Sequence, residues 1–293
     1  MIAPHRLPRF ARVGLIGTLT VAALLGVASC QLHTIGAGAL LFPSRHVTRA
    51  QSPTGCMERT FRGDGVALTG WQCAPQTEPR RGVVVYLHGI ADNRAGAAGI
   101  APRFTSRGFE FIAYDSRAHG VSEGEHCTYG YYEKLDLRRV LDEVGADRVI
   151  LIGHSLGAAV ALQTAAIEPR IGAVVAAAAF ADLRTIATER APFIFTGRSI
   201  AGALARAERD GRFRVDEVSQ LRAASAISSP VLLIHGQADR NTRPAHSSRI
   251  FEALRGPKKL ILVPGAGHND VLNGDVWRQI DTWLESVLSR SSP

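Results

Sequence analysis

The chain has 293 residues, of which 46% are hydrophobic, and its formal net charge is +8. This length allows one large α/β domain with a substantial buried core. The basic excess does not indicate a nucleic-acid partner, because the arginines of residues 184–222 are interleaved with acidic residues, as on solvated helix faces. No metal-ligand spacing, phosphate-binding loop or dinucleotide fingerprint occurs, so we expect no metal and no cofactor.

Residues 1–29 have the pattern of a signal peptide. Three arginines precede an uncharged apolar stretch at residues 13–29. The stretch ends in Val27-Ala28-Ser29-Cys30, which resembles the lipobox of bacterial lipoproteins. The resemblance implies cleavage before Cys30, lipid attachment to Cys30, and a membrane-anchored protein of the cell envelope, outside the cytoplasm. The competing interpretation is an uncleaved, single-pass signal anchor; the stretch is short for a membrane span, and its small residues suit processing better.

The folded domain is predicted to cover residues 56–293, with residues 30–55 as a lipidated tether. It begins with a predicted hairpin, in which strands over 56–62 and 66–73 flank an Asp64-Gly65 turn. With that turn, the positions of paired residues sum to 129, so Cys56 faces Cys73 in a non-hydrogen-bonded pair with Cα atoms about 4.5 Å apart. We therefore predict a Cys56–Cys73 disulfide, formed in an oxidising compartment, with Cys127 unpaired.

A nucleophile motif follows the apolar run at residues 149–152. Gly153-His154-Ser155-Leu156-Gly157 connects this strand pattern to an alanine-rich helical stretch. Strand, sharp turn and helix are the setting in which a G-x-S-x-G serine acts as a nucleophile. A nucleophilic serine needs a base, and the base needs an orienting acid. We therefore predict that Ser155 is the nucleophile rather than a helix N-cap.

The predicted acid and base each follow a later strand. Asp239 comes just after the apolar run that ends in His235-Gly236, and His268 lies in a glycine-rich loop after the strand 259–263. Loops at the carboxyl ends of strands carry catalytic groups in such folds. The order Ser, Asp, His is also the expected one. The rival acids Asp270 and Asp275 follow His268 and break this order. We predict that His246 is a surface residue and that His88 and His235 are structural.

Four motifs together give the chain its family resemblance. They are the Ser155 elbow, Asp115-Ser116-Arg117-Ala118-His119-Gly120-Val121-Ser122, His235-Gly236-Gln237-Ala238-Asp239 and Gly265-Ala266-Gly267-His268. The chain resembles serine hydrolases of the α/β-hydrolase superfamily, in the bacterial branch of short-cap esterases, lipases and serine aminopeptidase-like proteins. Ala118 stands where glycine is usual in this family. The resemblance implies an α/β fold with a mostly parallel central sheet, helices on both faces, and a small helical cap at about 181–229.

The same resemblance defines the expected chemistry. Ser155 would attack a carboxylic ester of a small acyl substrate, with His268 as base and Asp239 as orienting acid. The backbone N–H groups of Ile90 and Leu156 would form the oxyanion hole. A peptidase, a thioesterase and a non-catalytic envelope lipoprotein remain alternatives. Apolar cap residues are expected to face the site or the core: Phe193, Ile194, Phe195, Ile200 and Leu204.

Overall fold

Short apolar runs form the central strands, as expected for strands that are covered on both faces. The computed structural model describes residues 31–289, and this part of the chain contains one eight-stranded sheet. The strands are β1 (Cys56–Arg62), β2 (Ala67–Cys73), β3 (Gly82–Leu87), β4 (Phe109–Tyr114), β5 (Val149–His154), β6 (Ile171–Ala177), β7 (Val231–Gly236) and β8 (Lys258–Val263).

The order of the strands is β1-β2-β4-β3-β5-β6-β7-β8. β2 pairs antiparallel with β1 and β4, and all pairs from β4 to β8 are parallel. The carboxyl ends of β3, β5, β7 and β8 therefore lie at the same edge of the sheet. This topology is that of the α/β-hydrolase fold, so the predicted fold class is confirmed.

Helices cover both faces of the sheet and close two apolar cores. Residues 31–41 form α1. The later α-helices are α2 (Ala101–Thr105), α3 (Glu133–Glu143), α4 (Leu156–Ala165), α5 (Leu183–Arg190), α6 (Gly197–Gly211), α7 (Gln220–Ala224), α8 (Ala245–Ala253) and α9 (Gly274–Leu288). The buried side chains of α3, α4 and α8 belong to one core, and those of α2 and α9 belong to the other.

The hairpin at residues 56–73 has the predicted register. Arg62 pairs with Ala67 and Cys56 pairs with Cys73, while the N–H of Gly63 donates to the carbonyl of Val66 at 2.8 Å. A disulfide joins Cys56 to Cys73, whose Cα atoms are 3.9 Å apart. The predicted bridge is therefore confirmed, with a Cα separation somewhat shorter than the expected 4.5 Å. Cys127 is buried and is a free thiol, as predicted.

The insertion between β6 and β7 contains α5, α6 and α7. Phe195, Ile200 and Leu204 line a cavity beside Ser155. The expectation for Phe193 and Ile194 is wrong, because Phe193 is 99% exposed and Ile194 is 55% exposed. The short segment between α5 and α6 carries both side chains and projects them into solvent.

Residues 31–46, which belong to the predicted tether, begin with a helix and contact the folded domain. Residues 31–41 are helical, and the N–H of Cys127 donates to the carbonyl of Leu41 at 2.9 Å. Arg45 donates to the carbonyl of Ser122 at 2.6 Å, and the side chain of Asn93 donates to the carbonyl of His46 at 2.8 Å. This segment is therefore fastened to the hydrolase domain.

The predicted signal peptide and the proposed lipidation site at Cys30 lie outside the described residues. Among residues 31–289, the structure has no helix that is both long enough and apolar enough to cross a membrane.

Candidate active site

A sharp turn between β5 and α4 presents Ser155 at the carboxyl edge of the sheet. The backbone of Ser155 has φ 52° and ψ −109°, a strained conformation for a residue with a side chain. Close approach of the chain to itself explains the two flanking glycines. A Cβ on Gly153 would lie 2.3 Å from the carbonyl of Gly157, and one on Gly157 would lie 2.0 Å from the carbonyl oxygen of Leu87. Neither position has room for a side chain.

The structure brings the three residues of the predicted triad into one chain of hydrogen bonds. His268 Nε2 lies 2.9 Å from Ser155 Oγ, and His268 Nδ1 lies 2.7 Å from Asp239 Oδ2. These side chains come from three loops, after β5, β7 and β8, which meet because parallel strands end at the same edge. Because the carboxylate accepts from Nδ1–H, Nε2 is left free to accept the proton of the Ser155 hydroxyl.

Asp239 is held by neighbours on both of its oxygens. Its Oδ1 accepts from the N–H groups of Asn241 at 2.8 Å and Thr242 at 2.9 Å. Its Oδ2 lies 3.2 Å from His235 Nε2 as well as next to His268. Burial alone would raise the pKa of Asp239, but hydrogen bonds from His235, His268 and Thr242 together hold the pKa well below its usual range. Asp239 is therefore ionised at neutral pH.

The candidate oxyanion donors lie beside the nucleophile. Ile90 and Leu156 line the same cavity as Ser155. Within residues 31–289, neither N–H donates to any backbone or side-chain acceptor of the chain. Leu156 is also the first residue of α4, whose amino end favours developing negative charge. Ile90 and Leu156 therefore border the site, and no acceptor within the described chain takes up their N–H groups.

His154 has a role that the motif reading missed. Its Nε2 lies 2.8 Å from the carbonyl oxygen of His268, and a carbonyl only accepts, so His154 donates this hydrogen bond. The two imidazole rings are 5.1 Å apart. Burial lowers the pKa of His154, which keeps the ring neutral. His154 thus fastens the loop that carries His268, and its place next to Ser155 in the elbow was the available signal.

Two further histidines near the site, His235 and His88, have structural roles. His235 is buried and contacts Ser247 Oγ at 2.6 Å, which supports the structural role predicted for it. His88 is also structural, because its Nε2 accepts from the N–H of Ser116 at 2.9 Å.

His246 was predicted at the surface, and this is wrong. It is 2% exposed, accepts from the N–H of Ala181 and contacts Glu189. The face of α8 that carries His246 packs against the cap, where Glu189 lies. Asp270 and Asp275 are exposed, and among the described residues neither forms an ion pair with His268.

Two cavities meet at Ser155. An apolar cavity of about 320 Å³ lies under α1 and the cap. A polar cavity of about 1100 Å³ lies on the other side; its lining includes His268, Asp92 and Arg240. Within residues 31–289, no three His, Cys, Asp or Glu side chains converge closely enough to hold a metal ion. The site thus offers a hydroxyl, an imidazole and a carboxylate between an apolar and a polar chamber.

Comparison with known proteins finds similarity both in sequence and in structure. A family model described as alpha/beta hydrolase fold matches residues 82–198. YqkD of Bacillus subtilis is 30% identical over 216 residues, which covers 70% of each chain. YfhR of Escherichia coli K12 is 28% identical over 242 residues, which covers 78% of this chain and 79% of YfhR. The solved Pyrococcus furiosus esterase Pf2001 is similar with a TM-score of 0.67 at 21% identity, covering 86% of this chain and 98% of the esterase.

Proposed function

The chain belongs to the α/β-hydrolase family, and we propose that it is a serine hydrolase that cleaves carboxylic esters through an acyl-enzyme on Ser155. One observation carries the proposal: Ser155, His268 and Asp239 form an unbroken chain of hydrogen bonds at the junction of two cavities. A structurally similar protein, Pf2001, is an esterase, which agrees with this proposal.

The mechanism follows from the positions of the three side chains. Ser155 Oγ attacks the ester carbonyl carbon while His268 Nε2 takes the hydroxyl proton. Asp239 keeps the imidazole in the useful tautomer and stabilises the imidazolium that forms. The tetrahedral intermediate then breaks its bond to the alcohol oxygen, which receives the proton from His268. A water molecule repeats the cycle on the acyl-enzyme and releases the carboxylic acid.

The N–H groups of Ile90 and Leu156 are proposed to stabilise the negative oxygen of both tetrahedral intermediates. Each such donor is worth about 3 kcal/mol of transition-state stabilisation in comparable sites. The loop after β3 and the first turn of α4 hold these N–H groups in place before the substrate binds. Little movement of the two donors is therefore needed during the reaction.

Hydrolysis of p-nitrophenyl butyrate by the purified domain tests the proposal. Ser155→Ala and His268→Ala should each lower kcat to near background, because triad residues act as a unit. Asp275→Ala, an exposed change outside the site, is the matched control and should retain activity. Failure of the wild-type protein to cleave any ester in a panel of acyl-chain lengths would contradict the proposal.

We also propose that the enzyme works at the cell envelope, anchored through a lipid on Cys30. The support is the sequence pattern of residues 1–30, with its basic start, apolar stretch and terminal cysteine. The Cys56–Cys73 disulfide is consistent with this location, because disulfides persist in oxidising compartments.

A further inference from the structure

Helix α1 packs closely along α6 of the cap. A Cβ on Gly202 would lie 2.2 Å from His33 Nε2, and one on Gly36 would lie 2.6 Å from the Cβ of Ala203. At the far end of α1, a Cβ on Gly211 would lie 2.7 Å from a methyl group of Leu41. Glycines at three successive contacts let the two helices approach this closely. The surface of α1 is therefore complementary in shape to the surface of α6.

The same helix forms one wall of the apolar cavity. Ile35, Gly36, Ala39 and Leu40 line it, and Ser155 lies in the same lining. The hydroxyl of Tyr129, another lining residue, donates to the carbonyl of Leu40 at 3.1 Å and ties α1 to the catalytic domain. A segment that precedes the whole sheet thus borders the nucleophile's own pocket.

The position of His268 determines which part of an ester enters this cavity. His268 lines the polar cavity and does not line the apolar one. The departing alcohol must receive its proton from His268 Nε2, so the alcohol lies on the polar side of Ser155. The acyl chain then extends to the other side, into the apolar cavity under α1.

Resting on the proposed function, we infer that α1 is part of the acyl-binding site and sets the range of acyl-chain length. The substrate class is an ester of an apolar acyl chain with a polar alcohol. The cavity has a volume of about 320 Å³ and a mainly apolar lining, so it has room for an acyl chain well beyond four carbons. Each methylene buried there should raise kcat/KM by about fourfold until the cavity is full.

Changes on α1 should shift chain-length preference in opposite directions. Ala39→Phe places a ring in the cavity and should lower the ratio of kcat/KM for p-nitrophenyl decanoate over butyrate by at least tenfold. Leu40→Ala enlarges the cavity and should move the best substrate to a longer chain. Gly38→Phe is the matched control, because Gly38 lies on the same helix outside the cavity lining and has open space around its Cβ position. Its ratio should stay within about twofold of wild type.

An unchanged ratio of kcat/KM for decanoate over butyrate in Ala39→Phe would overturn the inference. Melting temperatures of all variants show whether each is folded. If the wild type cleaves no ester, the proposed function fails, and calorimetric titration of Ser155→Ala protein with decanoate decides the inference separately. Binding that is lost on adding Ala39→Phe would support the acyl site under α1, and absence of decanoate binding would refute it.

Discussion

Both carboxylate oxygens of Asp239 have polar neighbours that fix the orientation of the side chain. Two backbone N–H groups hold Oδ1, while His268 and His235 share Oδ2. His235, which sequence reasoning assigned to structure alone, is in turn held by Ser247 and by the carbonyl of Thr242. The carboxylate therefore has one position from which it can orient the imidazole of His268.

Replacing Asp239 with Asn should lower kcat by about 10⁴-fold with little change in KM. An amide nitrogen in the place of Oδ2 donates a hydrogen bond and cannot accept one from Nδ1–H. The imidazole therefore loses the tautomer in which Nε2 accepts the proton of Ser155. Steady-state kinetics on a p-nitrophenyl ester measure both constants. Asp270→Asn serves as the control; loss of kcat in that variant, with wild-type kcat in Asp239→Asn, would show that the acid is misassigned.

Buried His119 should make stability depend on pH. Burial, followed by the neighbouring His88, lowers the pKa of His119 to about 4. The unfolded chain binds this proton below about pH 6.5, so between pH 6.5 and 4 it holds more protons than the folded state. The free energy of unfolding should therefore fall by about 3 kcal/mol from this residue as the pH is lowered across that window.

Urea unfolding at pH 7 and pH 4 measures this loss. In His119→Asn the difference between the two pH values should shrink by about 3 kcal/mol, because the titrating ring is gone. An undiminished difference in the variant would mean that His119 does not contribute.

Among the elements, the β1–β2 hairpin could be predicted in detail, and α1 could not. Asp64-Gly65 fixes a two-residue turn, and every later pair follows from it, so the sequence alone placed Cys56 against Cys73. Residues 31–41 contain Gly36 and Gly38, which are poor helix formers. Their helix depends on packing against α6, which lies more than 150 residues later in the chain. Such a contact leaves no signal in the local pattern.

Reduction of the Cys56–Cys73 disulfide should lower the free energy of unfolding by about 3 kcal/mol. The bond closes a loop with a sequence separation of 17, which restricts the unfolded chain. Urea unfolding of residues 31–293 with and without reductant measures the loss. The Cys56→Ala/Cys73→Ala double variant should not respond to reductant, and three free thiols in the denatured, unreduced wild type would contradict the bridge.

At the scale of the molecule, the topology places the candidate site where the sequence predicted it. Strand order brings Ser155, Asp239 and His268 to one edge. The elbow motif, the positions after strand ends and the order along the chain together predicted these three residues. The cavities could not be predicted, because they depend on how the cap and α1 pack over that edge. The burial of the His246 side chain and the exposure of the Phe193 side chain also depend on tertiary packing.

The proposed lipid on Cys30 would attach one residue before Gln31, the first described residue of α1. The mature protein should begin at a lipid-modified Cys30 and sediment with membranes. Cys30→Ala should retain residues 1–29 and lack the lipid mass, because the processing site is gone. Cell fractionation with mass analysis of the amino terminus checks this; an unmodified Met1 on wild-type protein would favour a signal anchor instead.

The central claim, that Ser155 is an activated nucleophile, is tested most directly by a fluorophosphonate probe. The probe forms a covalent bond only with a serine hydroxyl that a base has activated. Digestion and mass spectrometry of the labelled wild type should place the adduct on Ser155, and Ser155→Ala protein with an unchanged circular dichroism spectrum should remain unlabelled. Labelling of Ser155→Ala at the wild-type rate, or a wild-type adduct on another residue, would contradict the account.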